Sequence, residues 1–254
     1  MFCNSTITDL FLFVFTQLIL HYPFFSVLIN GIILVMIIQF NPNKLSNQPF
    51  FMELLNYLYH YQPVTLREIK NQFPLQKNID KLIEEFVKVG YIERSEKRYR
   101  LLISLVSDPS TIDLYQHFFI ESDSPSYQEL LECRFVTEMT NSTNEVIIIE
   151  HTSITRNDLT ISNYFYKLRE NLSLTEEQNR LYNLLGDLNP EYFLKHVTTF
   201  LLKFVRREYA LQKRRNIFVD ALELLGYLVQ VEDGRYILNM DLDSEALVFC
   251  AKKD

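Results

Sequence analysis

The sequence predicts an α+β fold that is mainly helical, in which two similar helix-and-hairpin modules flank a small mixed α/β module. A helix that ends in Gly-Tyr and precedes a hairpin with Arg-Tyr occurs twice, at Gly90 and Arg98 and again at Gly226 and Arg235. Hydrophobic residues make up 48% of the chain and only five residues are glycine, which is typical of a globular, helix-rich protein. Between the two copies, the alternation of apolar and polar residues predicts strands instead.

The first module is predicted at residues 41–106, after a turn-rich stretch that contains Pro42 and Pro49. Thr65 and Glu68 have the spacing of a capping box, and Gly90 can adopt the left-handed conformation that ends a helix. The expected elements are a helix at 50–61, a short helix after Thr65, a third helix that ends at Gly90, and strands at 91–94 and 99–103.

The middle module is predicted at residues 107–172 as a small, acidic α+β unit. Its expected strands lie at 118–120, 134–139 and 145–151, and its expected helices at 126–131 and 160–169.

The second helix-and-hairpin module is predicted at residues 173–254. Thr175 and Gln178 form another capping box, and Asn189 followed by Pro190 is a strong helix start. The expected elements are a helix from Thr175 to about 186, a helix from 190 to about 207, a helix at 212–225, and strands at 229–231 and 236–238 joined over Asp233-Gly234.

Three helices followed by a hairpin is the order of elements in a winged helix. Both modules therefore resemble winged helix-turn-helix domains, and the predicted architecture is two winged-helix-like modules flanking a small mixed α/β module. The resemblance implies binding to nucleic acid or to other proteins. Aligning the copies pairs apolar positions, such as Phe86 with Leu222, so the repeat indicates a shared scaffold and not a shared ligand.

The charge of the chain is unevenly distributed. The formal net charge is -7, but residues 41–106 carry 10 basic and 7 acidic side chains, whereas residues 107–194 carry 5 basic and 15 acidic ones. Residues 195–215 hold seven basic side chains and only Glu208 as an acid. The two repeat-bearing ends are thus the basic parts, where contact with phosphate is most favourable.

The N-terminal segment, residues 1–40, is apolar and contains no charged residue from 10 to 40. It is long enough for a membrane anchor at residues 10–40, with Lys44 favouring cytoplasmic domains after it. The alternative is that translation starts at Met36, in which case no membrane is involved and the protein is cytoplasmic. The three cysteines are too far apart for a zinc motif, so they favour a reducing compartment.

Duplex DNA is the leading partner, since cations on the third helix and the hairpin can neutralise phosphates. In the first module the candidate contacts are Lys77, Asn78, Lys81, Arg94, Lys97, Arg98 and Arg100. In the second module they are Lys203, Arg206, Arg207, Lys213, Arg214 and Arg215. Acids on the same first-module helix count against phosphate binding, and the second cluster has the alternative interpretation of a solvated helix end stabilised by the helix dipole.

Two other functions compete with DNA binding. A protein–protein interaction scaffold, possibly membrane-anchored, is favoured by the acids near both recognition elements. An enzyme is less favoured. Glu121, Asp123, Glu150 and His151 lie at the ends of predicted strands, but their spacing matches no catalytic motif, and no phosphate loop, zinc-protease motif or nucleophile elbow is present. The sequence therefore predicts no catalytic residue, no metal site and no cofactor.

Three short stretches resemble an uncharacterised domain family of low-GC Gram-positive bacteria. They are Phe40-Asn41-Pro42-Asn43-Lys44-Leu45 with Gln48-Pro49-Phe50-Phe51, Gly90-Tyr91-Ile92, and Thr198-Thr199-Phe200-Leu201-Leu202-Lys203-Phe204. The resemblance covers nearly everything after Phe40 and implies no activity and no functional residues. Members of that family lack a leading apolar segment, which counts against the anchor.

Overall fold

The protein divides into two compact units, the first ending at Leu130 and the second beginning at Leu131. The computed structural model describes residues 35–252 and, before them, the short strands β1 (Leu28–Ile29) and β2 (Ile32–Ile33). The sequence divides the same chain at 106/107 and 172/173, so residues of its middle module are found in both units.

Among the described residues, the first unit holds three helices and a fourth that runs two residues past its boundary, a three-stranded sheet, and two further strand pairs, one of which is β1–β2. Its elements are β3 (Ile37–Phe40), α1 (Pro49–Tyr61), β4 (Val64–Thr65), α2 (Leu66–Gln72), α3 (Ile79–Val89), β5 (Ile92–Ser95), β6 (Arg98–Leu101), a 3-10 turn (Pro109–Thr111), β7 (Phe118–Glu121) and α4 (Pro125–Glu132). Its core is aromatic and aliphatic, with Phe51, Leu54 and Phe86 fully buried.

Local signals place the helix ends of this unit where the sequence predicts them. The side chain of Thr65 accepts a hydrogen bond from the Glu68 amide while the Glu68 carboxylate accepts one from the Thr65 amide, so the capping box opens α2. Gly90 follows α3 with φ of 89°, a left-handed conformation that glycine adopts without a steric penalty.

Strands β3 and β7 join sequence-distant parts of the first unit. They pair antiparallel, with Ile37 opposite Glu121 and Phe40 opposite Phe118. This pairing ties the segment that contains β7 to the start of the first unit.

The second unit combines a four-stranded sheet, a three-stranded sheet and four helices. Its elements are β8 (Phe135–Asn141), β9 (Asn144–Thr152), α5 (Ile161–Arg169), α6 (Glu176–Leu185), α7 (Pro190–Leu201), a 3-10 turn (Leu202–Val205), β10 (Tyr209–Leu211), α8 (Ile217–Leu224), β11 (Leu228–Glu232), β12 (Arg235–Leu238), β13 (Met240–Asp243) and β14 (Val248–Ala251). The strand order is β13-β14-β9-β8 in the larger sheet and β10-β12-β11 in the smaller one.

The Gly-Tyr repeat is reproduced in backbone hydrogen bonding. The amide of Tyr91 donates to the Phe86 carbonyl and the Tyr91 carbonyl accepts from Leu102. In the second copy, Tyr227 makes the same two bonds, to Leu222 and from Asn239. The hairpins also take a third strand in the same order, β4-β6-β5 and β10-β12-β11.

The copies differ in what separates that third strand from the last helix. In the first unit α2 and a linker lie between β4 and α3, whereas in the second unit only residues 212–216 lie between β10 and α8. The helix that the sequence predicts at 212–225 is therefore shorter, and it begins at Ile217 with Asn216 as its N-cap.

The prediction of a mainly helical protein is wrong. Helices account for 39% and strands for 25% of the residues that the structure describes, so the fold is mixed α+β. The difference comes from short strands that the sequence does not reveal, namely β3, β4, β10, β13 and β14. Each has two to four residues and forms by pairing, so its local sequence carries little alternation to recognise.

The predicted membrane anchor at residues 10–40 lies mostly outside the described residues. Its end is described, since residues 37–40 form β3 and pair with β7. In the described part of the chain, no helix has the length and apolar character needed to cross a membrane.

Candidate nucleic-acid interface

Helix α3 presents a mixed-charge face to solvent. Ile79, Ile83 and Phe86 point into the core of the first unit, at 6% exposure or less. The opposite face carries Lys81 with the acids of the helix, and all of these side chains except the half-buried Glu85 are exposed. Without neighbours, such a face would repel phosphate.

Two ion pairs change that charge balance. Lys70 of α2 contacts Asp80 at 2.7 Å, and Arg94 of β5 contacts Glu84 at 2.7 Å. The side chains are 46–59% exposed, so each pair stabilises the fold by no more than about 1 kcal/mol. Their larger effect is on charge, because two acids of α3 are neutralised by cations from other elements.

Arg94 is consequently a positioning residue and not a free phosphate contact. Its guanidinium binds Glu84 and lies 5.7 Å from the centroid of the Tyr99 ring, so it ties the hairpin to α3. The sequence analysis includes Arg94 among the candidate DNA contacts, and in the structure its charge is paired with that of Glu84.

The hairpin β5–β6 places three cations on its exposed side. Its turn is formed by Glu96 and Lys97, which both have positive φ (51° and 63°), as the tight two-residue hairpin turn requires. Because side chains alternate along a strand, burial of Tyr99 leaves Arg98 and Arg100 on the opposite, exposed face of β6. The Arg98 guanidinium donates to the Pro63 carbonyl at 3.3 Å, which fixes its position.

Lys77 and Asn78 precede α3 and do not lie within it, contrary to the sequence-based expectation for Lys77. Both are exposed, and Asn78 has φ of 56° at the N-cap position without a side-chain capping bond. Its amide side chain is thus not used to close the helix end. The two residues extend the cationic surface at the start of α3.

The basic cluster of the second unit is split by strand β10. Lys203 lies in the 3-10 turn after α7, where its Nζ stands 4.2 Å from the centroid of the Phe200 ring. Burial, with a smaller effect of the Arg207 charge, lowers the pKa of Lys203. Arg206 and Arg207 follow and are exposed.

Lys213, Arg214 and Arg215 lie on the other side of β10 and are all exposed. Because α8 begins at Ile217, these cations stand at the amino end of a helix, where the dipole disfavours positive charge. The interpretation of a helix end stabilised by the dipole is therefore wrong for them. Arg215 has a compensating contact with Asp220 at 3.5 Å.

The hairpin face that is basic in the first unit is apolar in the second. Ile237 occupies the position of Arg100, and it lies between Tyr209 on β10 and Val229 on β11. These three side chains, here called the apolar row, are 38–42% exposed. Next to the row, the Arg235 guanidinium stacks over the Tyr209 ring at 4.0 Å.

The four residues considered for catalysis belong to two different units, and Glu150 and His151 are in the second. Glu121 and Asp123 belong to the first unit, and Glu121 accepts a hydrogen bond from the Tyr59 hydroxyl. Glu150 is fully buried in the second unit, where its carboxylate accepts from the amides of Ile161 and Ser162 at 2.8 and 2.9 Å. It therefore caps α5, a structural role. Among the described residues, no group of three or more His, Cys, Asp or Glu side chains could hold a metal ion.

Sequence reasoning missed the ion pairs of α3 and the apolar row. The pairs join residues ten positions apart on different elements, so no helical spacing signals them. The row depends on the register of β10 with β12, and β10 itself was not predicted. The alignment of the two copies did contain a signal for the row, because the position of Arg100 in the first copy is taken by the apolar residue Ile237 in the second.

The resemblance to an uncharacterised domain family is supported over part of the chain. Comparison with curated proteins gave no match, and comparison with solved structures gave none either. Of the three stretches that carry the resemblance, those at residues 40–51 and 90–92 lie inside the matched region given next, and the one at 198–204 lies beyond it. Residues 37–133 match the family model described as Domain of unknown function (DUF1803).

Proposed function

We propose that the protein is a non-enzymatic, cytoplasmic DNA-binding or regulatory protein that acts through winged-helix-like modules. The first unit supplies the main DNA-contacting surface. Helix α3 enters the major groove and the β5–β6 hairpin touches the phosphate backbone.

One observation carries this proposal. The acids Asp80 and Glu84 are paired with Lys70 and Arg94, whereas Lys77, Lys81, Lys97 and Arg100 have no ionic partner among the described residues. After pairing, the remaining charge around α3 and the hairpin is positive. Unpaired cations are the groups that release counterions when they meet phosphates, and this release supplies most of the sequence-independent affinity.

The test is binding of the full-length protein to a labelled random-sequence duplex, measured by fluorescence anisotropy. At about 50 mM salt we expect saturable binding that weakens steeply as salt rises. The double variant Lys97→Ala with Arg100→Ala removes two candidate phosphate contacts, so the slope of log affinity against log salt should fall by about 1.8.

The matched control is Arg169→Ala with Lys195→Ala, which makes the same change in net charge at exposed positions of the second unit. Its affinity and salt slope should equal those of the wild type. Absence of duplex binding at about 50 mM salt, where phosphate contacts act strongly, contradicts the proposal. Equal losses in both double variants contradict the assigned surface.

A protein–protein interaction scaffold is the second candidate, and the apolar row supports it. Exposed apolar side chains adjacent on one sheet face are a common feature of docking surfaces. Arg235 and Glu232 beside the row neutralise each other at 3.5 Å, so no unpaired charge from this pair opposes the approach of the same apolar row of a second copy of the chain. A membrane anchor within residues 10–40 remains a prediction that would apply to either function.

The scaffold candidate is tested by light scattering coupled to size-exclusion chromatography over a range of protein concentrations. We expect concentration-dependent dimers that Ile237→Lys converts to monomers. Val136→Lys is the matched control, because Val136, like Ile237, is an exposed β-branched residue on a strand of the second unit, at 56% exposure. A wild-type protein that stays monomeric at high concentration eliminates this candidate.

A further inference from the structure

The second unit contains a cavity of about 460 Å³ at one end of its four-stranded sheet. Strands β9 and β14 run parallel, and their carboxyl ends meet there. Residues from several separate segments line it: Arg134, His151, Asp158, Leu159, Thr160, Leu224, Leu225, Gly226, Tyr227, Asn239, Ala251 and Lys252.

The topology brings cations from distant parts of the chain to this cavity. Arg134 immediately precedes β8, whose start lies beside the end of the antiparallel strand β9. Lys252 directly follows β14. Arg134 and Lys252 are exposed, so their charged groups reach solvent and can meet a ligand.

The acid of the cavity is held by its own loop. The Asp158 carboxylate accepts from the Ser153 amide at 2.8 Å and from the Ser153 hydroxyl at 3.0 Å. Burial alone would raise its pKa, but these bonds and the charge of Arg134 hold the pKa of Asp158 below its usual value. Asp158 is thus ionised near neutral pH, and a single acid faces the cations Arg134 and Lys252.

Lys252 is oriented by a short hydrogen-bond chain. The Asn239 side-chain nitrogen donates to the Gly226 carbonyl at 2.8 Å, which fixes the amide so that its oxygen accepts from Lys252 at 3.0 Å. An ammonium has three donors, so two remain for a ligand. A lysine held by a fixed amide is better prepared for binding than one that moves freely.

The helix end beside the cavity does not supply the anion site. The first amides of α5 are bonded to Glu150, and the amide of Asn163 donates to the Thr160 hydroxyl. A ligand must therefore be held by side chains. Leu159, Leu224 and Leu225 give the cavity an apolar wall that suits a carbon skeleton.

We propose that this cavity binds a small organic anion, with its carboxylate or phosphate group held by Arg134 and Lys252 and its carbon skeleton against the leucines. The lining combines charged and polar side chains with the three leucines, so one cavity offers both groups that bind an anion and a wall for its carbon skeleton. The inference is independent of DNA binding, because none of the residues involved belongs to the DNA-contacting surface.

The experiment titrates the full-length protein with phenyl phosphate, benzoate and inorganic phosphate at constant ionic strength set by chloride, using isothermal calorimetry. We expect saturable binding of phenyl phosphate or benzoate that is at least about tenfold tighter than binding of inorganic phosphate, because only the aromatic ring reaches the apolar wall. Which of the two binds more tightly identifies the acidic group.

Variants assign the binding to the cavity. Arg134→Gln and Lys252→Gln should each weaken the organic anion about tenfold, as expected for loss of one charge-assisted hydrogen bond. Arg180→Gln and Lys195→Gln are matched controls at exposed positions outside the cavity and should leave the affinity unchanged. Circular dichroism checks that each variant is folded.

Three results would overturn the proposal. They are no saturable binding of either organic anion, equal affinity for inorganic phosphate and phenyl phosphate, and equal weakening in the cavity variants and the controls.

Discussion

The hydroxyl of Tyr227 donates a hydrogen bond to the carboxylate of Glu150, and both side chains are buried. Tyr227 belongs to the repeated Gly-Tyr element, and Glu150 lies on β9 and caps α5. The contact therefore fastens the second hairpin module to the larger sheet of the same unit. In the first copy the equivalent hydroxyl of Tyr91 makes a different bond, accepting from the side-chain amide of Asn43 at 2.6 Å.

Tyr227→Phe should destabilise the protein more than Tyr91→Phe. Removing the Tyr227 hydroxyl leaves the buried Glu150 with one donor fewer, and an incompletely paired buried carboxylate costs about 1–3 kcal/mol. The bond of Tyr91 is solvent-exposed, so its loss should cost less than about 1 kcal/mol. Urea unfolding of both variants checks the difference, and equal losses contradict it.

Lys167 should make stability rise with pH above neutrality. Burial, opposed by the charge of Asp158, lowers the pKa of Lys167 from 10.5 to about 8. Between these two values the unfolded chain binds a proton that the folded chain does not, so the free energy of unfolding increases with pH. The gain between pH 7.5 and 10 should be about 2 kcal/mol.

The control for this prediction is Lys167→Met, which keeps the length of the side chain and removes its charge. Other groups titrate in the same pH range, so the quantity to measure is the difference between wild type and Lys167→Met in urea unfolding. The free energy of unfolding of the wild type minus that of Lys167→Met should rise by about 2 kcal/mol as pH rises from 7.5 to 10. A difference that stays constant with pH is the result that counts against a perturbed lysine.

Gly90→Ala and Gly234→Ala should differ in cost although both glycines have positive φ. At Gly90 an added Cβ has nothing within 4 Å, so only the left-handed backbone is penalised, by about 1 kcal/mol. At Gly234 the Cβ would lie 3.1 Å from the backbone of Gln212 and Lys213. Because the Gln212 amide also donates to the Gly234 carbonyl, that backbone cannot move away easily.

We therefore expect Gly234→Ala to cost about 2–3 kcal/mol, the sum of backbone strain and overpacking. Chemical unfolding measures both variants under the same conditions. If both variants lose a similar, small amount of free energy of unfolding, the backbone at residues 212–213 shifts to accommodate the added methyl group, and the prediction is wrong.

Glu85→Gln should tighten binding to duplex DNA. Unlike Asp80 and Glu84, Glu85 has no ion pair among the described residues, so its charge opposes phosphate without compensation. Removing it should raise affinity severalfold at low salt and less at high salt, since screening weakens the repulsion. Glu177→Gln, an exposed acid on α6, is the control and should leave anisotropy titrations unchanged.

Much of the local structure could be predicted from the sequence, because local interactions decide it. The capping boxes at Thr65 and Thr175 and the N-cap at Asn189 start helices as predicted. Gly90 ends a helix as predicted. The Asp233-Gly234 turn joins the two strands of a hairpin, also as predicted. In each case the residues that form the signal are neighbours in the chain.

The candidate site was predictable only as a set of residue types. As expected, an exposed hairpin carries Lys97, Arg98 and Arg100. The ion pair of Arg94 could not be predicted, because its partner Glu84 lies ten positions earlier on another element. The sequence predicts a helix that includes residues 213–215, whereas β10 pairs with β12 up to Leu211 and the helix begins only at Ile217. Pairing between distant segments overrode local propensity.

By itself the sequence determined where most helices begin and end, that one helix–glycine–hairpin unit is used twice, and which ends of the chain are basic. Those features depend on caps, turns and spacing within a few residues. Only the tertiary structure decided that the fold is not mainly helical and that β3 pairs with β7. It also decided that two acids of α3 form ion pairs with Lys70 and Arg94, and that Arg134 and Lys252 line one cavity. These depend on contacts between residues far apart in the chain, and such contacts form only when burial of the two cores brings the segments together.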